Sequence, residues 1–239
     1  MSVVWHDLEC GAYREDLALW RSLAADHGDP VLDIGAGTGR VALELAGGGH
    51  EVTALDRDPD LLATLSRRAA GIGLELETVL ADAREFALDR RFALCLVPMQ
   101  TIQLLGGSEG RQAFLRCAGR HLRPGGVIAV AIADTLEPFE LEDGAIAPLP
   151  DICELEGVVY SSQPTAIRVE PEGFVLERRR ETVTVQGSRS VAVDLIHLDR
   201  LGPGQLEAEA VQAGLRRGGR AAIPATEDYV GSEVVILRG

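Results

Sequence analysis

The chain contains no lysine and no asparagine, and all 23 of its basic residues are arginine. Without lysine there is no Schiff-base chemistry and no phosphate-loop lysine. Without asparagine there is no N-glycosylation acceptor and no amide clamp built on that residue. Basic residues are also outnumbered: 23 against 37 acids gives a net charge of −14. Such a charge repels a phosphate backbone and argues against general nucleic-acid binding. No apolar run reaches the ~18 residues that a membrane helix needs. The opening stretch Met1-Ser2-Val3-Val4-Trp5-His6-Asp7 lacks the basic start and apolar core of a signal peptide. Cys10, Cys95, Cys117 and Cys153 are scattered with no metal-ligand spacing. The expectation is a cytoplasmic protein with reduced thiols and no metal.

What is present is ample for one large domain. The 239 residues are 46% hydrophobic and 25% charged, as in an ordinary globular chain. Apolar spacing predicts a first amphipathic helix over 8–28. Val31-Leu32-Asp33-Ile34 then reads as a buried strand running into Gly35-Ala36-Gly37-Thr38-Gly39-Arg40. A helix carrying Val41 and Leu45 follows, then a strand over 51–55 ending at Asp56. Asp58-Pro59 is an N-cap with proline in the first turn, opening a helix that stops before Gly71. Further strands are expected over 74–80, 92–97 and 127–133, with a helix capped by Ser108 and a turn at Arg123-Pro124-Gly125-Gly126. Strands alternating with helices at every step predict an α/β, doubly wound, mostly parallel sheet.

After Ala133 the pattern changes. Residues 136–156 hold seven acids and no arginine, with three prolines, and are expected to form an acidic loop. Residues 157–198 alternate at period two around turn signals at Gln163-Pro164, 170–173 and 186–188, predicting an antiparallel meander. Arg178-Arg179-Arg180 reads as a charge run on a solvated sheet surface. Pro203 opens a last helix, and Val230–Leu237 is the closing strand. The chain thus divides into a cofactor-binding core with its N-terminal helix (1–135), an acidic loop and meander forming a substrate wall (136–200), and a final helix and strand completing the core sheet (201–239).

Parallel sheets bind ligands at the carboxyl ends of their strands. The first turn, Gly35-Ala36-Gly37-Thr38-Gly39, is small wherever backbone must approach a ligand. Its G-x-G-x-G spacing is one residue short of the dinucleotide fingerprint. Asp33 lies inside the preceding strand, and the next two strands also end in acids. Asp56 stands 21 residues beyond Gly35, where a carboxylate takes both ribose hydroxyls; the plain alternative is a cap ahead of Asp58-Pro59. Asp82 is placed to accept from an adenine amino group, or to form a strand-end turn. His6, ahead of the first helix, is a candidate base; His121 and His197 read as structural.

These ordered motifs resemble the cofactor domain of class I S-adenosylmethionine-dependent methyltransferases over residues 30–133. The resemblance implies that Asp33, Gly35, Ala36 and Gly37 hold the methionine part of S-adenosylmethionine, Asp33 through water to its ammonium. It implies that Asp56 binds the ribose, Arg57 lies beside the adenine, and Asp82 and Ala83 meet its edge. Pro98, in Leu96-Val97-Pro98-Met99, lines the reaction centre, and Gln100 touches the substrate. His121-Leu122-Arg123-Pro124-Gly125-Gly126 matches the turn before strand five. Tyr13 resembles an aromatic that closes over the cofactor carboxylate, or else packs on the helix face. The complete sheet would have seven strands, the last antiparallel. The segment after strand four lacks the Asn/Asp-Pro-Pro-aromatic pattern of amino-methylating nucleic-acid enzymes, an acid for a metal, and a cysteine for covalent attack. What the resemblance implies is a metal-independent enzyme methylating O or N of a small molecule, as a monomer or homodimer. A negative rim over 136–156 would favour a cationic substrate. Two other readings stay open: a non-catalytic S-adenosylmethionine-binding partner, and an NAD(P)-dependent oxidoreductase.

Overall fold

A computed structural model describes residues 3–133, 136–141, 148–226 and 229–239. Its first sheet has seven strands: β1 (Val31–Ile34), β2 (Val52–Asp56), β3 (Glu77–Leu80), β4 (Phe92–Val97), β5 (Leu122–Ile132), β11 (Arg216–Ile223) and β12 (Ser232–Arg238). Their order is β11-β12-β5-β4-β1-β2-β3. β1 pairs parallel with β2 and β4, whereas β12 runs antiparallel between β5 and β11.

Both faces of this sheet are buried, which is why β4 reads as an unbroken apolar run and β1 as one interrupted only by Asp33. One face packs Val31, Leu94, Leu96 and Ala129 against α2 (Leu17–His27), α3 (Arg40–Gly47) and α4 (Pro59–Gly71). The other packs Leu32, Ile34, Cys95 and Val130 against α5 (Gly107–Arg120) and α6 (Pro203–Gln212). The strand order reverses between β1 and β4, so a crevice opens at their carboxyl ends.

A second sheet follows β5. β8 (Val158–Val169), β9 (Gly173–Val183) and β10 (Arg189–Asp199) form the meander, with β6 (Phe139–Glu140) and β7 (Asp151–Leu155) on the outer side of β8. Buried Gln103, in the 3-10 turn Thr101–Leu104, joins the two sheets. Its Nε2 donates to the carbonyls of Ala133 and Asp199 at 3.1 and 3.0 Å, and its Oε1 accepts from the Ala133 amide at 2.9 Å.

Several expectations need correction. The helix expected over 8–28 is two helices, α1 (Val3–Cys10) and α2. The break falls where Gly11 closes on the Asp7 carbonyl and Asp16 turns inward to a buried arginine. Gln163-Pro164 is no turn but part of β8, whose register on β9 shifts between Pro164 and Ala166, an irregularity of the kind that accommodates a strand proline. Gly106, in left-handed conformation, precedes α5 in place of the expected Ser108 cap. Residues 123–126, expected as a turn before strand five, sit inside β5, whose register on β4 jumps from Phe92↔Leu122 to Leu94↔Val127. The acidic stretch 136–156 includes the strands β6 and β7, and its residues 142–147 lie outside the described residues. β11 was not expected as a strand. Its run Arg216-Arg217-Gly218-Gly219-Arg220 has no apolar alternation and is strand only because β12 templates it.

Candidate cofactor crevice and adjoining pocket

The crevice is built around the turn between β1 and α3. Gly35, Gly37 and Gly39 have φ of +72°, +56° and +97°, a region costly for residues with a side chain. A Cβ at Gly35 would collide with Thr101, and one at Gly37 with the imidazole of His6. The turn is hung from β2: the Gly35 and Ala36 amides donate to the Leu55 carbonyl at 2.8 and 3.0 Å. Asp56, at the tip of β2, accepts from the Gly37 amide at 2.8 Å and from the Asp58 amide at 3.0 Å.

Asp33 is 1% exposed, and neither of its oxygens has a hydrogen-bond partner among the described residues. Desolvation pushes its pKa up to about 7; the nearby Arg40 charge opposes this, Asp16 and Asp56 add to it, and the Ala42 amide on its flank helps little. A buried carboxylate with both oxygens unpaired is rare and costly. It is the kind of vacancy in bonding that a cationic ligand group, directly or through water, would fill. The unpaired acid, the turn that admits no Cβ and the acid at the next strand tip together fit a cofactor carrying an ammonium and a ribose.

Arg40 links the crevice to a neighbouring pocket. Its guanidinium makes two hydrogen bonds to the fully buried Asp16 carboxylate, at 2.5 and 2.7 Å, and lies 5.0 Å from the Tyr13 ring centroid. Asp16 also accepts from Trp20 Nε1 at 2.7 Å. The pocket lies at the carboxyl ends of β4 and β5, lined by Tyr13, Asp16, Met99, Gln100, Ile223 and Tyr229. The Tyr13 and Tyr229 rings stand 4.9 Å apart, tilted by 58°. Burial pushes the Tyr13 phenol up to about 12, so it stays protonated. Met99 holds φ of +55° at the tip of β4, a strained non-glycine conformation of the sort that clusters at ligand sites.

The structure brings Asp33, Gly35, Ala36, Gly37 and Asp56 together in one crevice. It places Tyr13 and Gln100 in the pocket beside it, and buries Pro98 where its carbonyl accepts from the Thr101 hydroxyl at 2.9 Å. Asp82 stands at the strand-three tip with Arg57 nearby, but its carboxylate is engaged by Arg84 through Nε and Nη2 at 2.9 and 2.6 Å. Those bonds hold its pKa below the usual carboxylate range. Arg84 is an exposed side chain, and such surface pairs are weak enough for a ligand to displace. Ala83 is partly buried against the core's edge. His121 is structural: Nδ1 meets the Cys117 carbonyl at 2.8 Å, and Nε2 accepts from the Leu88 amide at 3.1 Å.

α1 covers the glycine turn. His6 packs over Gly37, and burial lowers its pKa from the ordinary histidine value. Burial works against an ionised Asp7, but its hydrogen bonds from Arg68 and from Thr38 at 2.7 Å outweigh that and lower its pKa. Glu9 faces the other way, accepting from Ser162 and from Arg180 Nε and Nη2 at 2.7–2.8 Å. Trp5 meets Tyr160 edge-on at 5.4 Å. Arg178 and Arg180 are therefore not a solvated face: both turn inward to Glu9, and only Arg179 points out, to Glu181. Nothing local to the arginine run signals this, because its partner lies at the other end of the chain.

Residues 31–126, less than half the chain, match a family described as "Methyltransferase domain". Over 105 residues the chain is 39% identical to a probable cobalt-precorrin-6B C(15)-methyltransferase (decarboxylating) of Methanothermobacter thermautotrophicus, covering 43% of this chain and 51% of that one. Over 115 residues it is 33% identical to the cypemycin N-terminal methyltransferase of a Streptomyces species, covering 48% and 45%. The chain thus spans about half the length of these curated relatives. Among solved structures, the sugar N-methyltransferase KedS8 from Streptoalloteichus superimposes with a TM-score of 0.74 over 99% of this chain and 92% of that one, at 17% identity. That likeness is one of fold.

Proposed function

We propose that residues 31–126, which match a methyltransferase domain, are the cofactor core of a class I S-adenosylmethionine-dependent methyltransferase, and that the chain transfers a methyl group to O or N of a small molecule. The observation that carries this reading is the junction at Arg40, where a crevice with an unpaired buried carboxylate adjoins an aromatic-walled pocket. When bound, S-adenosylmethionine supplies an already activated methyl group, so no metal is needed.

The protein's own residues then have to bind, orient and exclude water. Asp33 balances the cofactor ammonium, through water. Gly35, Ala36 and Gly37 give the close backbone approach, and Asp56 takes the ribose hydroxyls. Arg57, Asp82 and Ala83 border the adenine, with Asp82 exchanging its Arg84 partner. Pro98 and Tyr13 stand at the junction of crevice and pocket. Tyr13, Tyr229, Met99 and Gln100 orient the acceptor, while Asp16, held by Arg40 and Trp20, fixes the wall rather than taking a proton. The core of residues 1–135 and 201–239 carries the chemistry, and residues 136–200 wall the site by holding α1 in place.

Calorimetric titration with S-adenosylmethionine and NADH separately tests the cofactor. Binding of NADH alone overturns the assignment. Asp56→Ala should weaken S-adenosylmethionine binding by about 1.5–3 kcal/mol, the scale of a charged hydrogen bond, and an unchanged Kd removes Asp56 from the ribose. Formation of S-adenosylhomocysteine across a panel of amines, phenols and carboxylates then identifies the acceptor; cofactor binding without turnover on any of them refutes transfer to a small molecule.

A further inference from the structure

β10 is an edge strand of unusual character. Among the described residues it pairs with β9 alone, over eleven residues, in an unbroken register from Arg189↔Val183 to Asp199↔Gly173. Residues 189–193 are exposed on both faces of the strand. Val191, Val193 and Leu195, on one face, are 50%, 62% and 51% exposed. Long, flat, apolar edges invite pairing, and proteins blunt them with lysine, proline, bulges or short length. The other described edges are blunted in these ways. β3 has four residues and β7 five, and β11 carries three arginines and a register shift. β10 has no proline, glycine or lysine, and its one mid-strand charge, Asp194, is drawn inward to Arg180 at 3.0 Å.

We propose that β10 is the seam of a homodimer, in which two copies pair antiparallel about Val193 and their second sheets become one. The strand's own residues choose both the partner and the register. Centred on Val193, residue 191 meets 195 of the second copy and Val193 meets itself, so the exposed triplet covers its own image. Asp194 then lies opposite Ala192, and Arg189 opposite His197. Shifting the centre to Asp194 would set two carboxylates directly against each other, which antiparallel ladders disfavour. The triplet fits a second copy because it is complementary to itself under a two-fold axis. This inference does not depend on the methyl-transfer reading.

Sedimentation equilibrium of the full chain at micromolar concentration should give twice the chain mass of 25.5 kDa. Val193→Lys should give the chain mass, with an unchanged circular dichroism spectrum because the site is exposed. Val193→Cys should cross-link to itself under mild oxidation. Val191→Cys should not, since residues 191 of the two copies stand four positions apart on the ladder, beyond the ~7 Å reach of a disulfide; unsubstituted protein controls for Cys10 and Cys153. A monomeric wild-type chain would overturn the proposal and leave the edge to a strand of another protein. A dimer that survives Val193→Lys, or in which Val191→Cys cross-links and Val193→Cys does not, overturns it equally.

Discussion

At the scale of single residues, the most informative group is Asp33. Its carboxyl titrates near 7 in the folded chain against 3.8 in the unfolded one. Between those values the unfolded state gives up its proton and the folded state keeps it, so stability falls as pH rises, and above about 7 the full penalty is present. Asp33→Asn removes that penalty. The variant should therefore gain Tm over the parent at pH 8 but not at pH 4, in ligand-free thermal scans. The same variant should bind S-adenosylmethionine more weakly, and the parent's binding should strengthen from pH 6 to 8 with release of a proton. A binding constant flat across that range would detach Asp33 from the ammonium. Gly37→Val should abolish cofactor binding, measured by titration, because its side chain would need both a left-handed backbone and the space that His6 occupies. These residues were legible in the sequence because a strand, a turn and a strand tip are local and their spacing survives as a motif. His6 over Gly37 and Arg40 against Asp16 were not: each joins residues 24 or more apart, and neither side of the pair carries a spacing signal.

At the scale of elements, an ion cluster fixes the back of the fold. Arg111 of α5, 3% exposed, forks onto Glu209 of α6 at 2.7 and 2.8 Å, and reaches Asp199 at the end of β10 at 2.7 Å. Removing one member of a buried pair leaves the others uncompensated, at a cost of about 3–5 kcal/mol. Arg111→Ala should lower stability by that amount in urea titration, whereas Arg216→Ala, at the exposed start of β11, should change it little. The sequence placed α3 to α6 and β1, β2, β4 and β12 well, because each buries a continuous apolar face. It failed where tertiary context decides. β11 is held by its neighbour, the proline of β8 sits at a register shift, and the first helix is divided by an aspartate whose partner lies on α3.

At the scale of the whole molecule, α1 couples the two sheets. One side of it grips the core through Asp7 and Arg68, and the other grips the second sheet through Glu9 and Arg180. Arg180→Ala should loosen that grip by about 1.5–3 kcal/mol, seen as faster amide exchange across α1 and at residues 36–38 while β1 and β4 keep their protection. Equal protection throughout would show that α1 is held by the core alone.

The clamp also orders events in time. Glu9 and Arg180 are 171 residues apart in the chain. At typical synthesis rates that separation is roughly 10–35 s on the ribosome. The first helix is thus among the earliest parts made and among the last seated, and the clamp that holds it over the glycine turn closes only once β9, the second strand of the meander, has been made.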